Sequence, residues 1–169
     1  SIHILRAEMP GPMVGKLVPK AKNTAKILYL IYIVLTAVQI IILFAGGMPF
    51  FDSVVLTFGT AGTGGFGVRA DSIASYSPYL QNVITVFMVL SGINFNIFYL
   101  ILIRRVKSVF KNTELWCYLG LFVFASVLIA INIYPMYGSV EEAVRLSAFQ
   151  TASIMSTTGY ATANFDLWP

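Results

Sequence analysis

Two short stretches hold residue types that could do chemistry on a bare cation: Gly62-Thr63-Gly64-Gly65 and Ser156-Thr157-Thr158-Gly159. Consecutive backbone carbonyls can replace an ion's hydration shell, and the hydroxyls of Thr63 and Thr157 add oxygens of the same kind. Gly65 and Gly159 can take positive φ, so a carbonyl there can turn inward with no Cβ in the way. The first stretch also reads G-x-G-x-x-G through Gly62, Gly64 and Gly67. A dinucleotide cradle, however, needs a preceding strand, a βαβ unit and an acid about 20 residues on. No strand is legible before the stretch, and the residue at that distance is Phe87. A Walker loop fails for want of Gly-Lys-Ser/Thr. A plain glycine-rich extracellular turn is the bland reading to set against an ion site.

Duplication counts against the plain turn. A shift of 94 residues lays Thr63-Gly64-Gly65-Phe66-Gly67 over Thr157-Thr158-Gly159-Tyr160-Ala161. Threonine meets threonine, glycine meets glycine, and aromatic meets aromatic. Each motif follows a short, moderately apolar segment, Pro49 to Thr60 in the first case and Val140 to Met155 in the second. Asp52 near the start of one, and Ser139 with Glu142 as a capping box at the start of the other, are helix-start signals. Glu141 and Glu142 read as helix-start charges rather than ion ligands. The two short helices do not align without a gap, the second reading a few residues longer. Each would point its negative C-terminal end at its loop, which favours a cation. Phe66 and Tyr160 would wedge behind the loops and hold them open.

The elements that must position these loops are apolar. The chain has 169 residues, 57% hydrophobic and only 11% charged, with a mean hydropathy of +0.79. That composition excludes an ordinary soluble domain. Three uncharged runs suffice to cross a bilayer, which takes about 20 helical residues: Ile27 to Gly47, Tyr79 to Ile103 and Leu115 to Tyr134. Pro78 and Pro135 fall at span ends, where proline does not break a helix. The short helix–loop segments cannot span. Irregular backbone inside a membrane survives only when buried in protein or lining a water-filled cavity, so the expected fold is all-α integral membrane, with re-entrant loops.

Nine of the eleven basic residues flank one side of the spans, from Arg6, Lys16, Lys20, Lys22 and Lys26 to Arg104, Arg105, Lys107 and Lys111. By the positive-inside bias that side is cytoplasmic, leaving Arg69 and Arg145 outside with five of the seven acids. The basic residues thus fix orientation rather than bind nucleic acid. His3 is the only histidine, which excludes a usual zinc site, and Cys117 is the only cysteine, read as a packing residue. Gly92, Asn94 and Asn96 put small and polar groups in the middle of the second span; they could line a conduction path or pack between helices. The first thirteen residues hold no signal-peptide core, and the chain reads as a fragment of a longer protein.

Four segments together resemble a known family: "AEMPGPMVGKLVPKAKNTAKIL", "FGTAGTGGFGVR", "ITVFMVLSGINF" and "EEAVRLSAFQTASIMSTTGYATANFDLWP". They are similar to the Trk/Ktr/HKT superfamily of potassium uptake proteins, with the bacterial Trk-type membrane subunit the closest likeness. The resemblance implies four helix–pore-helix–helix repeats around one pseudo-fourfold pore. Residues 1–111 would be the second repeat and 112–169 the start of the third. It further implies that Gly62-Thr63-Gly64-Gly65 and Ser156-Thr157-Thr158-Gly159 are potassium-binding filter strands with Gly65 and Gly159 critical. A transporter of the bacterial cytoplasmic membrane is implied, not an enzyme, with K+ as the transported ion and no cofactor. Its partners would be membrane lipid, a second copy in a homodimer and a cytosolic nucleotide-binding regulatory subunit. Two alternatives stay open: a two-loop pore subunit that must dimerise, and a membrane scaffold or receptor fragment whose glycine loops are extracellular turns.

Overall fold

The computed structural model describes residues 21–102 and 104–169. His3, Arg6, Lys16, Lys20 and Ile103, together with the Lys22 side chain, lie outside the described residues. Every regular element described is helical. Helix α1 runs Ala21–Ala45 and is apolar enough to cross a membrane from Ala25 onward. Its Thr36 hydroxyl donates to the carbonyl of Tyr32 at 2.8 Å, so the polar group is satisfied within the helix. A turn through Gly47 leads directly into α2, Phe50–Ala61, whose Ser53 hydroxyl donates to the Pro49 carbonyl at 3.0 Å.

Ser77 caps the next helix and Pro78 occupies its first turn, where a missing N–H costs nothing. This helix, α3, is Pro78–Ser91, and there the second expected span departs from continuity. The chain bends by 91° into α4, Phe95–Leu102. Gly92 closes α3, and the Asn94 side chain accepts the N–H of Asn96 at 3.0 Å, which starts α4 in a new direction. The short polar residues that interrupt the apolar run therefore break the span, because Asn94 offers the backbone an alternative partner.

After the short α5, Val106–Phe110, helix α6 covers Thr113–Tyr137 with Asn112 as its cap. Pro135 lies inside its last turn rather than ending it; the stop comes at Gly138, which is left-handed at φ 69°. Helix α7, Val140–Met155, follows at once and packs back along α6. It begins four residues further from its loop than α2 does, yet both helices end in register at the 94-residue shift. No gap is needed to align them: the extra turn is all at the N-terminus of α7.

Helices α2 and α7 meet through α3 and through one buried cluster. That cluster takes Leu43 from α1, Leu56 from α2, Ile84 and Met88 from α3, and Phe149 from α7. The long helices instead expose apolar side chains, Ile41 on α1 and Ile131 on α6 among them. Cys117 is exposed on the same outer surface of α6, not packed in a core. The two short helices are polar inside: Asp52, Ser53, Thr57 and Thr60 of α2, and Ser147, Gln150, Thr151 and Ser153 of α7, are all buried. Apolar outside and polar within suits a fold whose solvent is lipid and whose interior holds irregular backbone.

Candidate functional site

The two loops repeat each other bond for bond. At the end of α2 the N–H of Gly62 reaches Phe58 O at 2.9 Å, and that of Thr63 reaches Thr60 O at 3.2 Å. The amides of Gly64 and Gly65 then both turn back to Gly59 O, at 2.8 and 3.3 Å. At the end of α7, Ser156 bonds Ala152 O at 2.9 Å and Thr157 bonds Ile154 O at 3.1 Å; Thr158 and Gly159 share Ser153 O at 2.9 and 3.3 Å. Four donors and their acceptors correspond at the 94-residue shift. These bonds satisfy three carbonyls at each helix end and leave the loop's own carbonyls free of these turns.

Backbone conformation repeats as well. Gly65 has φ 66° and Gly159 φ 86°, while Thr63 has φ 50° and Thr157 φ 59°. A left-handed β-branched residue is a true outlier, and each such residue stores about 1–3 kcal/mol that the surroundings must hold in place. Such strain clusters where a chain has work to do. Recurrence of the two threonines at one spacing is legible in the chain, but their left-handed conformation is not.

The loops touch. The Thr158 carbonyl oxygen occupies the space that a Cβ on Gly65 would need. Around Gly159 there is no such neighbour, so only its φ demands glycine. Tyr160 is fully buried and does act as a wedge, though across the loops: its hydroxyl donates to Leu56 O at 3.1 Å and Phe66 O at 3.3 Å, against α2. Gly59 is what admits it, since a Cβ there would strike the tyrosine oxygen. The Phe66 ring lies over Gly64 of its own loop and is 76% exposed, so its expected wedge behind the loop is not made among the described residues. Within the second loop, Ser156 and Thr158 share a hydroxyl bond at 2.7 Å, and the Ser153 hydroxyl donates to Tyr160 O at 2.6 Å. Thr57 of α2 and Thr151 of α7, again 94 apart, are buried with hydroxyls that bond no protein group.

A brace lies on the far side of the first loop. Asp52, expected only as a helix-start charge, is buried and accepts the Tyr76 hydroxyl at 2.7 Å; Arg69 approaches it at 3.9 Å and lies over the Tyr76 ring. Burial first, and then the Asp52 carboxylate, push the Tyr76 hydroxyl up to about 12. Glu141 and Glu142 sit in the first turn of α7, each 3.9 Å from Arg145.

The remaining candidates lie elsewhere. Gly92 and Asn94 line a cavity of about 90 Å³ at the bend between α3 and α4, closed by Glu114, Leu115 and Tyr118. The Asn94 amide lies 3.4 Å from both oxygens of Glu114, and Asn96 keeps a buried Oδ1 without a protein partner. The residues that sequence reasoning missed are Gly59, legible only as one small residue in a helix, and Ser72, whose hydroxyl accepts the N–H of Ala161 at 3.2 Å.

Comparison with known proteins bears on the family and the fold. The family TrkH, described as cation transport protein, matches residues 1–169. The Trk system potassium uptake protein TrkH of Salmonella typhimurium is 31% identical over 173 residues, and that of Escherichia coli K12 is 32% identical over 174. Each alignment covers 99% of this chain and 36% of the relative, so the chain spans about a third of the length of the curated relatives it matches. The crystal structure of the potassium transporter TrkH from Vibrio parahaemolyticus superposes with a TM-score of 0.85 at 27% identity, over 99% of this chain and 36% of that one. The helical fold and the match along the whole chain together place it: the chain belongs to the TrkH cation transport protein family.

Proposed function

We propose that this chain contributes two strands to the selectivity filter of a potassium uptake protein in the bacterial cytoplasmic membrane. Gly62-Thr63-Gly64-Gly65 and Ser156-Thr157-Thr158-Gly159 supply oxygens to a dehydrated K+. Residues 1–111 act as one pore repeat and 112–169 as the start of the next. The observation that carries the reading is the paired loop: a left-handed threonine and a left-handed glycine at the same two places in each, with the Thr158 carbonyl against Gly65. An extracellular turn that merely connects helices has no use for two strained threonines repeated 94 residues apart, so the scaffold or receptor reading is not favoured.

The two helices deliver negative C-terminal ends to the loops; the first loop is held from outside, by Tyr160 and by the brace on Asp52, and the second by the hydroxyls of Ser153, Ser156 and Thr158. That is the preorganisation a carbonyl cage needs, since an ion stripped of water is held only by groups already in place. Gly92, Asn94 and Asn96 belong to the inner part of the same path, at the bend of the second span. From the resemblance we also carry over a homodimer and a cytosolic nucleotide-binding regulatory subunit. K+ is the cargo, and neither a cofactor nor a reaction is required.

The test is potassium uptake by the full-length protein in cells lacking their own uptake systems, unchanged and with Gly159→Ser. Rescue by the unchanged protein, with K+ preference over Na+ lost in the variant, is the expected result. Rescue that is indifferent to the change removes the second loop from the ion path.

A further inference from the structure

We infer that Arg145 and Gln81 are positioning residues that fix the two loops relative to each other and thereby set the preference between cations. The inference rests on the reading of the loops as filter strands. Arg145 projects from α7 with a side chain only 13% exposed, and its Nη1 donates to Oε1 of Gln81 on α3. Glu141 and Glu142 balance the charge at 3.9 Å. Gln81 is itself buried, and its Nε2 faces three carbonyls, those of Ile73 at 3.2 Å, Ala74 at 3.2 Å and Tyr76 at 3.0 Å. One amide group thus holds the segment that follows the first loop and receives the guanidinium from the helix that precedes the second.

The circuit closes on the second loop. Ile73 donates its N–H to Ala161 O at 3.0 Å, two residues beyond Gly159. From α7 the path therefore runs through Arg145 and Gln81 to residues 73–76, across to Ala161, and back along the loop to α7. The same segment is fastened to α2 by the bond from Tyr76 to Asp52. Both helices that feed the loops grip one brace, α2 through a carboxylate and α7 through an arginine. A buried charged donor bonded to a buried amide is costly to leave half-made, so loss of either partner must be absorbed by movement of the brace. Movement there shifts Ala161, and with it the spacing of oxygens that discriminates one ion from another.

The full-length transporter, reconstituted in lipid vesicles, is tested for rubidium uptake in competition with K+ and with Na+. Arg145→Met and Gln81→Met should each lower the preference for K+ over Na+ on the order of tenfold, equivalent to about 1.4 kcal/mol between ions. The double variant should lose no more than either single one, since both remove one contact. Arg145→Lys, which keeps the charge but loses the planar fork, should fall between. A residue with a merely structural part would reduce the amount of protein in the membrane and leave the ratio alone. Parental preference in the Met variants, at any uptake rate, overturns the inference. Should the Met variants not accumulate, the Lys variant decides: an intermediate preference supports the bracket and a parental one overturns it. Gly159→Ser in the same assay separates the two levels. If it shifts preference and the bracket variants do not, only the bracket falls; if Gly159→Ser has no effect either, the filter reading itself falls.

Discussion

The two loops share a backbone and differ in what holds it. The first is built by exclusion: Gly59 makes room for Tyr160, and Gly65 makes room for the Thr158 carbonyl. The second is built by bonds: Ser156 to Thr158, Ser153 to the Tyr160 carbonyl, and the Tyr160 hydroxyl across to α2. One loop is shaped by what its neighbour pushes into it, the other by its own side chains. This explains part of why the first loop is the richer in glycine, and it teaches that two copies of one geometry can be maintained by opposite means. It also predicts that equivalent substitutions will have unequal effects.

Gly65→Ala should be the most damaging change. It meets both an unfavourable φ and the Thr158 carbonyl, which is backbone and cannot swing aside. Potassium uptake by the full-length protein should be abolished. Gly159→Ala meets only the φ cost, about 1–2 kcal/mol, so uptake should persist with a preference for K+ over Na+ reduced about tenfold. Equal loss in the two variants would break the comparison. Tyr160→Phe should come next. It removes the hydroxyl donated to α2 and to Phe66 O, worth about 0.5–1.5 kcal/mol, and should lower the thermal midpoint of the purified protein. Ser156→Ala should cost the second loop about 1 kcal/mol through the lost hydroxyl bond, whereas Gly62→Ala at the matching place removes no such bond.

The smallest effect concerns pH. Tyr76 has its pKa raised above the usual tyrosine value to about 12, so the folded state holds the proton more tightly than the unfolded one. The stabilisation from its bond to Asp52 is complete below pH 10 and is lost only as pH climbs through about 12. Stability measured between pH 6 and 9 should therefore show no step from this group, and Tyr76→Phe should lower it evenly across that range.

Much of the fold could be read from the chain because its signals are local. Apolar run length marked α1 and α6, the Ser139 cap marked α7, and the repeated motif marked both loops. The bend at Gly92 was written in "SGINFN" as polar residues within a span, but their meaning depends on Asn94 starting a new helix against Glu114, which is a tertiary matter. The same holds for Asp52, which looks like a helix-start acid until Tyr76 reaches it from 24 residues away. Phe66 and Tyr160 align in sequence, yet Tyr160 is buried against Gly59 of the other copy's helix while Phe66 lies over Gly64 of its own loop and stays exposed; a shift of 94 residues shows similarity of type and says nothing of which neighbour each copy meets. Left-handed threonines were out of reach for a deeper reason. Propensity argues against them, and only the surrounding bonds enforce them.

The measurement that bears most directly on the central claim is thallium soaking of crystals of the full-length protein, with the anomalous signal locating the ion. The account predicts thallium density between the two loops, against the oxygens of Thr63 to Gly65 and of Thr157 to Gly159. Thallium found only elsewhere in a protein that transports potassium would contradict it.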